Sequence, residues 1–83
     1  MATQIKSNGE EIENYPSETL VQMQEAVGGY IEAVYTKMGQ IIIANEEGLL
    51  RGLPVNVKAS QMAQNIIVGD VLIMSIEEWR SRD

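Results

Sequence analysis

The sequence predicts an α+β fold: a single small domain, residues 1–83, with an antiparallel-rich sheet of four to five strands and one main helix packed on it. Three observations predict it. Apolar runs with β-branched and aromatic residues recur at "YIEAVY", "QIIIAN" and "IIVGDVLIMS". The clearest helical stripe is in "YPSETLVQMQEAVGG", and it ends on glycine. Turn residues punctuate these runs at Asn8-Gly9, Gly39 and the stretch from Asn45 to Asn56.

Taken in order, "ATQIK" is a short strand, Asn8-Gly9 a hairpin turn that tolerates positive φ, and "EIENY" the returning strand. The main helix starts near Pro16 or Ser17, with Ser17 as N-cap and Glu18 near the positive end of the dipole. Leu20, Met23 and Val27 form its apolar face, broadened by Val21, and Gly28 stops it in a left-handed conformation. Its methionine belongs to a core stripe in preference to a docking surface. "GYIEAVYT" and "QIIIAN" form a second hairpin around "KMG". Ile31, Ala33 and Tyr35 share one face of the first arm, and Tyr30, Glu32 and Val34 the other. Three consecutive isoleucines, Ile41 to Ile43, call for cover on both faces and place the second arm inside the sheet. "NVKASQMAQN" is a short helix capped by Asn56, "IIVGDVLIMS" the last strand with a bend at Gly69-Asp70, and "IEEWRSRD" a short helix or frayed tail. The order is β-β-α-β-β-α-β, and a β-grasp-like arrangement is one topology with that order.

Chemistry is bounded by what is missing. The 83 residues contain no histidine and no cysteine. That removes the commonest general base near neutral pH, a structural zinc site and a Ser-His or Cys-His nucleophile. The adjacent pairs Glu10/Glu11, Glu46/Glu47 and Glu77/Glu78 converge poorly on one atom, because neighbours diverge in both strands and helices. No phosphate-binding or dinucleotide-binding glycine motif is present. The expectation is a protein that is not an enzyme and carries no cofactor. Net charge is −6, from six Lys plus Arg against twelve Asp plus Glu, which argues against duplex nucleic acid as a partner. The N-terminus lacks the basic and apolar regions of a signal peptide, and no apolar run suits a membrane span. A cytoplasmic setting without membrane attachment is therefore expected. A core this small, without disulfides, makes a homo-oligomer the expected state.

The segments "VGGYIE" at 27–32, "NEEG" at 45–48, "GLPVN" at 52–56 and the "IVGD" that precedes the apolar "VLIM" run resemble, in that order, a family of small phage, plasmid and bacterial proteins catalogued as a domain of unknown function. The resemblance covers roughly residues 5–75. The chain departs from longer members in a short 57–65 connection and a truncated acidic tail. The resemblance implies no catalytic residues. It implies a mobile-element origin, in which small phage proteins often counter bacterial immunity, some by sequestering signalling nucleotides without cleaving them.

Residues 44–56 invite two readings. In the structural one, Gly48 and Gly52 make turns, Leu49, Leu50 and Leu53 pack down, and Asn45 and Asn56 cap local backbone. In the functional one they form a ligand rim. Arg51 offers a planar fork to phosphate, Asn45 and Asn56 read a base edge, and Gly48 and Gly52 let backbone amides approach an anion. Lys58 closes the pocket, and Tyr30 or Tyr35 stacks on a base. The function expected first is thus a phage-type counter-defence protein that sequesters a cyclic oligonucleotide or ADP-ribose-type signal without cleaving it; the alternatives are an acidic inhibitor that binds a host defence protein or nuclease, and a structural or regulatory subunit that assembles through its sheet edge.

Overall fold

The computed structural model describes residues 1–81. Five strands form one antiparallel sheet: β1 (Ala2–Ile5), β2 (Glu11–Tyr15), β3 (Ile31–Tyr35), β4 (Gln40–Asn45) and β5 (Val71–Ser75). Their spatial order is β2-β1-β5-β4-β3, so the last strand inserts between two hairpins. A β-grasp shares that insertion; here β1 and β5 are antiparallel, as is every neighbouring pair. Among the described residues three helices complete the fold: α1 (Leu20–Val27), α2 (Val57–Ala63) and α3 (Ile76–Arg80). The predicted closing segment "IEEWRSRD" becomes α3, capped by Ser75, and its last two residues lie outside the described ones.

The sheet carries a core on each face. Ile41 and Ile43 of β4, with Leu72 and Met74 of β5, pack with Met23, Ala26 and Val27 of α1. Ile42 and Ala44, with Val71 and Ile73, pack on the opposite face with Ala59 of α2 and with Ile67. The period-2 alternation of strands sends neighbours to opposite faces, so the triple isoleucine serves both cores. Ile41, Ile42 and Ile43 are all fully buried, and each contributes roughly 1.5–3 kcal/mol by leaving water. The sequence reading assigned cover to one main helix; α2 supplies the second cover.

Both hairpins use the same device. Gly9 N–H donates to Lys6 O, and Gly39 N–H donates to Thr36 O, while Gly9 and Gly39 have φ of 96° and 78°. Each is a three-residue loop in which glycine supplies the left-handed residue. Asn8 keeps a negative φ and instead accepts from Glu10 N–H through its side chain.

Helix α1 begins later than the sequence reading placed it. Its N-cap is Thr19, whose hydroxyl accepts from Gln22 N–H while Gln22 Oε1 accepts from Thr19 N–H, a capping box. Ser17 is fully buried and donates to Glu78 of α3. The late start sets the buried face at Met23, Ala26 and Val27, and leaves Leu20 and Val21 exposed in the first turn. Gly28 caps the C-terminus at φ 81°, as expected. The segment 66–70 does not continue β5: Val68 bridges Val55, Gly69 bends the chain at φ 79°, and the strand begins at Val71.

Candidate functional site

The candidate rim lies where the β4–α2 connection meets the C-terminus of α1. Asn45 ends β4 and is buried. Its Nδ2 donates to Val27 O at 3.1 Å, and its Oδ1 accepts from Glu47 N–H at 2.8 Å. Backbone bonds then wind residues 45–53 into successive tight turns: Gly48 N–H to Asn45 O, Arg51 N–H to Glu47 O, and Leu53 N–H to Gly48 O. Gly48 is buried, and Val68 approaches it so closely that a Cβ there would stand 2.6 Å from Val68 Cγ2. Gly52 has φ 67° and open space around it. Both glycines serve the turn.

Arg51 reaches back to α1. Its Nη1 donates to Gly28 O at 3.2 Å and its Nη2 to Glu47 Oε1 at 3.3 Å. The guanidinium thus satisfies a carbonyl left over at a helix C-terminus, where cations are favoured. Its side chain stays half exposed. Tyr30 is exposed beside this clasp, and its carbonyl accepts from Glu46 N–H.

Asn56 lies inside. It is 1% exposed. Its Oδ1 caps α2 by accepting from Ala59 N–H at 3.1 Å. Its Nδ2 donates to Ile5 O at 2.9 Å and Gly69 O at 2.8 Å. One amide thereby ties the end of β1, the bend before β5 and the start of α2, with its principal bonding capacity spent.

The structure therefore brings together Tyr30, Asn45, Gly48, Arg51 and Gly52, and separates the other three. Asn56 is enclosed, Lys58 on α2 pairs with Glu11 of β2, and Tyr35 is exposed at the far end of β3. Of the three leucines expected to pack down, Leu53 does, against Gly69 and Gly48. Leu49 and Leu50 do not: they are 75% and 89% exposed. The turns place both on the outer side of the connection, where neither core reaches them.

That exposure is what sequence reasoning missed. Leu49 and Ile66, which is 66% exposed, line a shallow depression together with Glu32, Glu46 and the buried Val68. Neither Glu32 nor Glu46 takes part in the ion pairs among the described residues. The one available signal was the doubled leucine between two glycines, which composition alone assigns to packing. Among the described residues, no group of three acidic side chains converges as a metal site, and no helix is long and apolar enough to cross a membrane.

Comparison with known proteins adds one relation. A family model described as a domain of unknown function, DUF3846, matches residues 3–82. No curated protein and no solved structure matches the chain. That match takes in both hairpins, all three helices and the 45–56 connection, and on it the chain belongs to the DUF3846 family.

Proposed function

We propose that this protein acts by binding another protein, as an acidic inhibitor whose partner presents an apolar knob flanked by basic side chains. The observation that carries this reading is the exposure of Leu49 and Ile66 beside the carboxylates of Glu32 and Glu46, which form no ion pair among the described residues, with exposed Leu50 next in the chain. Apolar side chains with a charged rim are the anatomy of a protein interface. The rim charge steers a partner of opposite sign and disfavours an anionic ligand. A host nuclease or nucleic-acid-binding defence protein carries a basic face of that kind. The test compares affinity capture by the wild-type chain and by Leu49→Asp/Leu50→Asp. The expected result is a basic partner retained by the wild type, released by raised salt and lost by the variant, with thermal midpoints that agree within a few degrees. Identical capture by the two chains, or none by either, overturns the reading.

A second reading, nucleotide sequestration, keeps one observation in its favour. Exposed Tyr30 and half-exposed Arg51 both border Gly29, with Arg51 Nη1 3.7 Å from where a Cβ of that glycine would stand. The residue with a stacking ring thus directly follows the glycine that a phosphate fork approaches. A thermal-shift panel of cyclic dinucleotides, cyclic trinucleotides and cyclic ADP-ribose isomers tests it. A ligand present at 100 times its Kd adds about 2.7 kcal/mol, and a flat panel removes the reading.

A further inference from the structure

We infer that the free edge of β3 pairs with the same edge of a second copy of this chain, antiparallel, about a two-fold axis at Ala33. The inference concerns the backbone edge of β3, which shares Glu32 with the Leu49 depression, and it stands without that reading.

The backbone sets it up. Thr36 N–H donates to Gln40 O, and Glu46 N–H donates to Tyr30 O. These bonds flank the β3–β4 ladder, whose pairs run from Ile31 opposite Asn45 to Tyr35 opposite Ile41 without a shift. Hydrogen-bonded and non-bonded pairs alternate along an antiparallel ladder. The flanking bonds therefore place Glu32 and Val34 in the pairs bonded to β4. The N–H and C=O groups of Ile31, Ala33 and Tyr35 point outward, an unpaired template for another strand.

The other edge of the sheet is closed to such pairing. In β2 the register shifts between the Ala2 and Gln4 partners, and Asn14 sits at φ 59°. That irregularity, with exposed Glu11 and Glu13 and with Pro16 just beyond the strand, blunts the edge. Strand β3 has no bulge and no proline, and its charged residue, Glu32, bonds inward through its backbone.

The occupant follows from self-complementarity. Centred on Ala33, an antiparallel pair sets Ile31 of each copy opposite Tyr35 of the other, and Ala33 opposite Ala33. All three outward residues of each strand then bond, in about six hydrogen bonds. Aromatic against β-branched is a favourable cross-strand pair. Glu32 falls opposite Val34. Sliding one way sets Glu32 opposite Glu32, which like charge disfavours; sliding the other sets Ile31 opposite Lys37 in the hairpin loop. The central register is the one that satisfies both backbone and charge. Each copy carries −6, so salt strengthens this association by screening.

Sedimentation equilibrium of the full chain, from micromolar to near-millimolar, is the test, alongside Ala33→Pro and Tyr35→Lys. Proline at 33 removes an outward N–H that the chain's own ladder does not use, so the fold tolerates it. Wild type is expected to approach twice the mass of one chain, more so at higher salt. Amides of Ile31, Ala33 and Tyr35 are then protected from hydrogen exchange in the concentrated sample only. Ala33→Pro is expected to stay at one chain's mass. Tyr35→Lys, which alters an exposed side chain and keeps the fold should the proline not, is expected to weaken pairing roughly tenfold. A wild-type chain that stays monomeric overturns the inference. So does a dimer without protection at those three amides, or one that both variants leave intact.

Discussion

The 45–56 connection and the edge of β3 lie side by side and treat their polar groups in opposite ways. The connection contains two asparagines, an arginine and a run of turn amides, the usual dress of a binding loop. Nearly all of that capacity is directed inward: Asn45 to α1, Arg51 to Gly28 and Glu47, Asn56 to β1, α2 and the bend at Gly69. The β3 edge looks plain in sequence, yet its backbone is the unspent surface. A polar residue advertises recognition only when no nearer partner claims it, since a buried amide left unsatisfied costs more than a bond to ligand returns. What is left unspent is therefore the exposed leucines and the strand edge beside the asparagines, the two surfaces on which recognition is proposed.

Breaking the connection sharpens this contrast. The largest effect is expected for Asn56→Asp, which keeps the helix cap and sets a carboxyl oxygen against the carbonyls of Ile5 and Gly69. Urea unfolding is expected to show a loss of roughly 3–5 kcal/mol at neutral pH, easing as the introduced carboxyl is protonated. Asn56→Ala follows at roughly 2–4 kcal/mol, from a lost cap and two stranded carbonyls. Were either variant to unfold like wild type, Asn56 would not be the tie described above.

Gly48→Ala comes next. Its Cβ meets Val68 Cγ2 at 2.6 Å, and overpacking of this kind costs about 1–3 kcal/mol. Calorimetry is expected to show a midpoint lower by roughly 5–20 °C for a domain of this size. Arg51→Ala is smaller, at most about 1 kcal/mol, because its ion pair with Glu47 is half exposed. A loss several times larger would make Arg51 the main anchor of the connection.

The smallest effect is a pH dependence at the opposite end of the sheet. The Met1 amine is raised above its ordinary value, first by its hydrogen bond to Glu78, against a lowering by desolvation, and further by the charges of Glu78 and Glu18. Its contribution is full below the ordinary value of about 8 and is lost as pH rises through the raised one. Thermal midpoints measured from neutral into alkaline buffer are expected to fall slightly there, and N-acetylation to abolish that step. A midpoint that stays flat with the free amine would remove Glu78 as its partner.

Much of this fold was legible. The bounds of β2 and β4, the Asn56 cap of α2 and the Gly28 stop of α1 follow from local residue chemistry, and the three isoleucines called for cover on both faces of β4 without naming α2 as the second cover. The start of α1 was less so. Ser17 and Thr19 are both good caps, and the choice between them depends on Glu78, 61 residues away from Ser17, claiming the buried hydroxyl. The site was legible only in part. That Asn45 and Asn56 cap backbone was readable as one of two uses; which carbonyls they reach was not. Leu49 and Leu50 are apolar in sequence wherever they point, and only the direction of the turns exposes them.

By itself, the sequence determined most of the segments that are helix, strand and turn, because periodicity, caps and left-handed glycines act over a few residues; the start of α1 and the non-strand stretch 66–70 were the exceptions. It also determined that histidine and cysteine chemistry is absent and that the surface is acidic. Tertiary structure alone decided the order β2-β1-β5-β4-β3, which leaves β3 an open edge and β2 a blunted one. It decided as well which amides face inward. Strand order and amide direction are settled by partners distant in the chain, through burial and hydrogen bonds that form only once both cores have closed on the sheet.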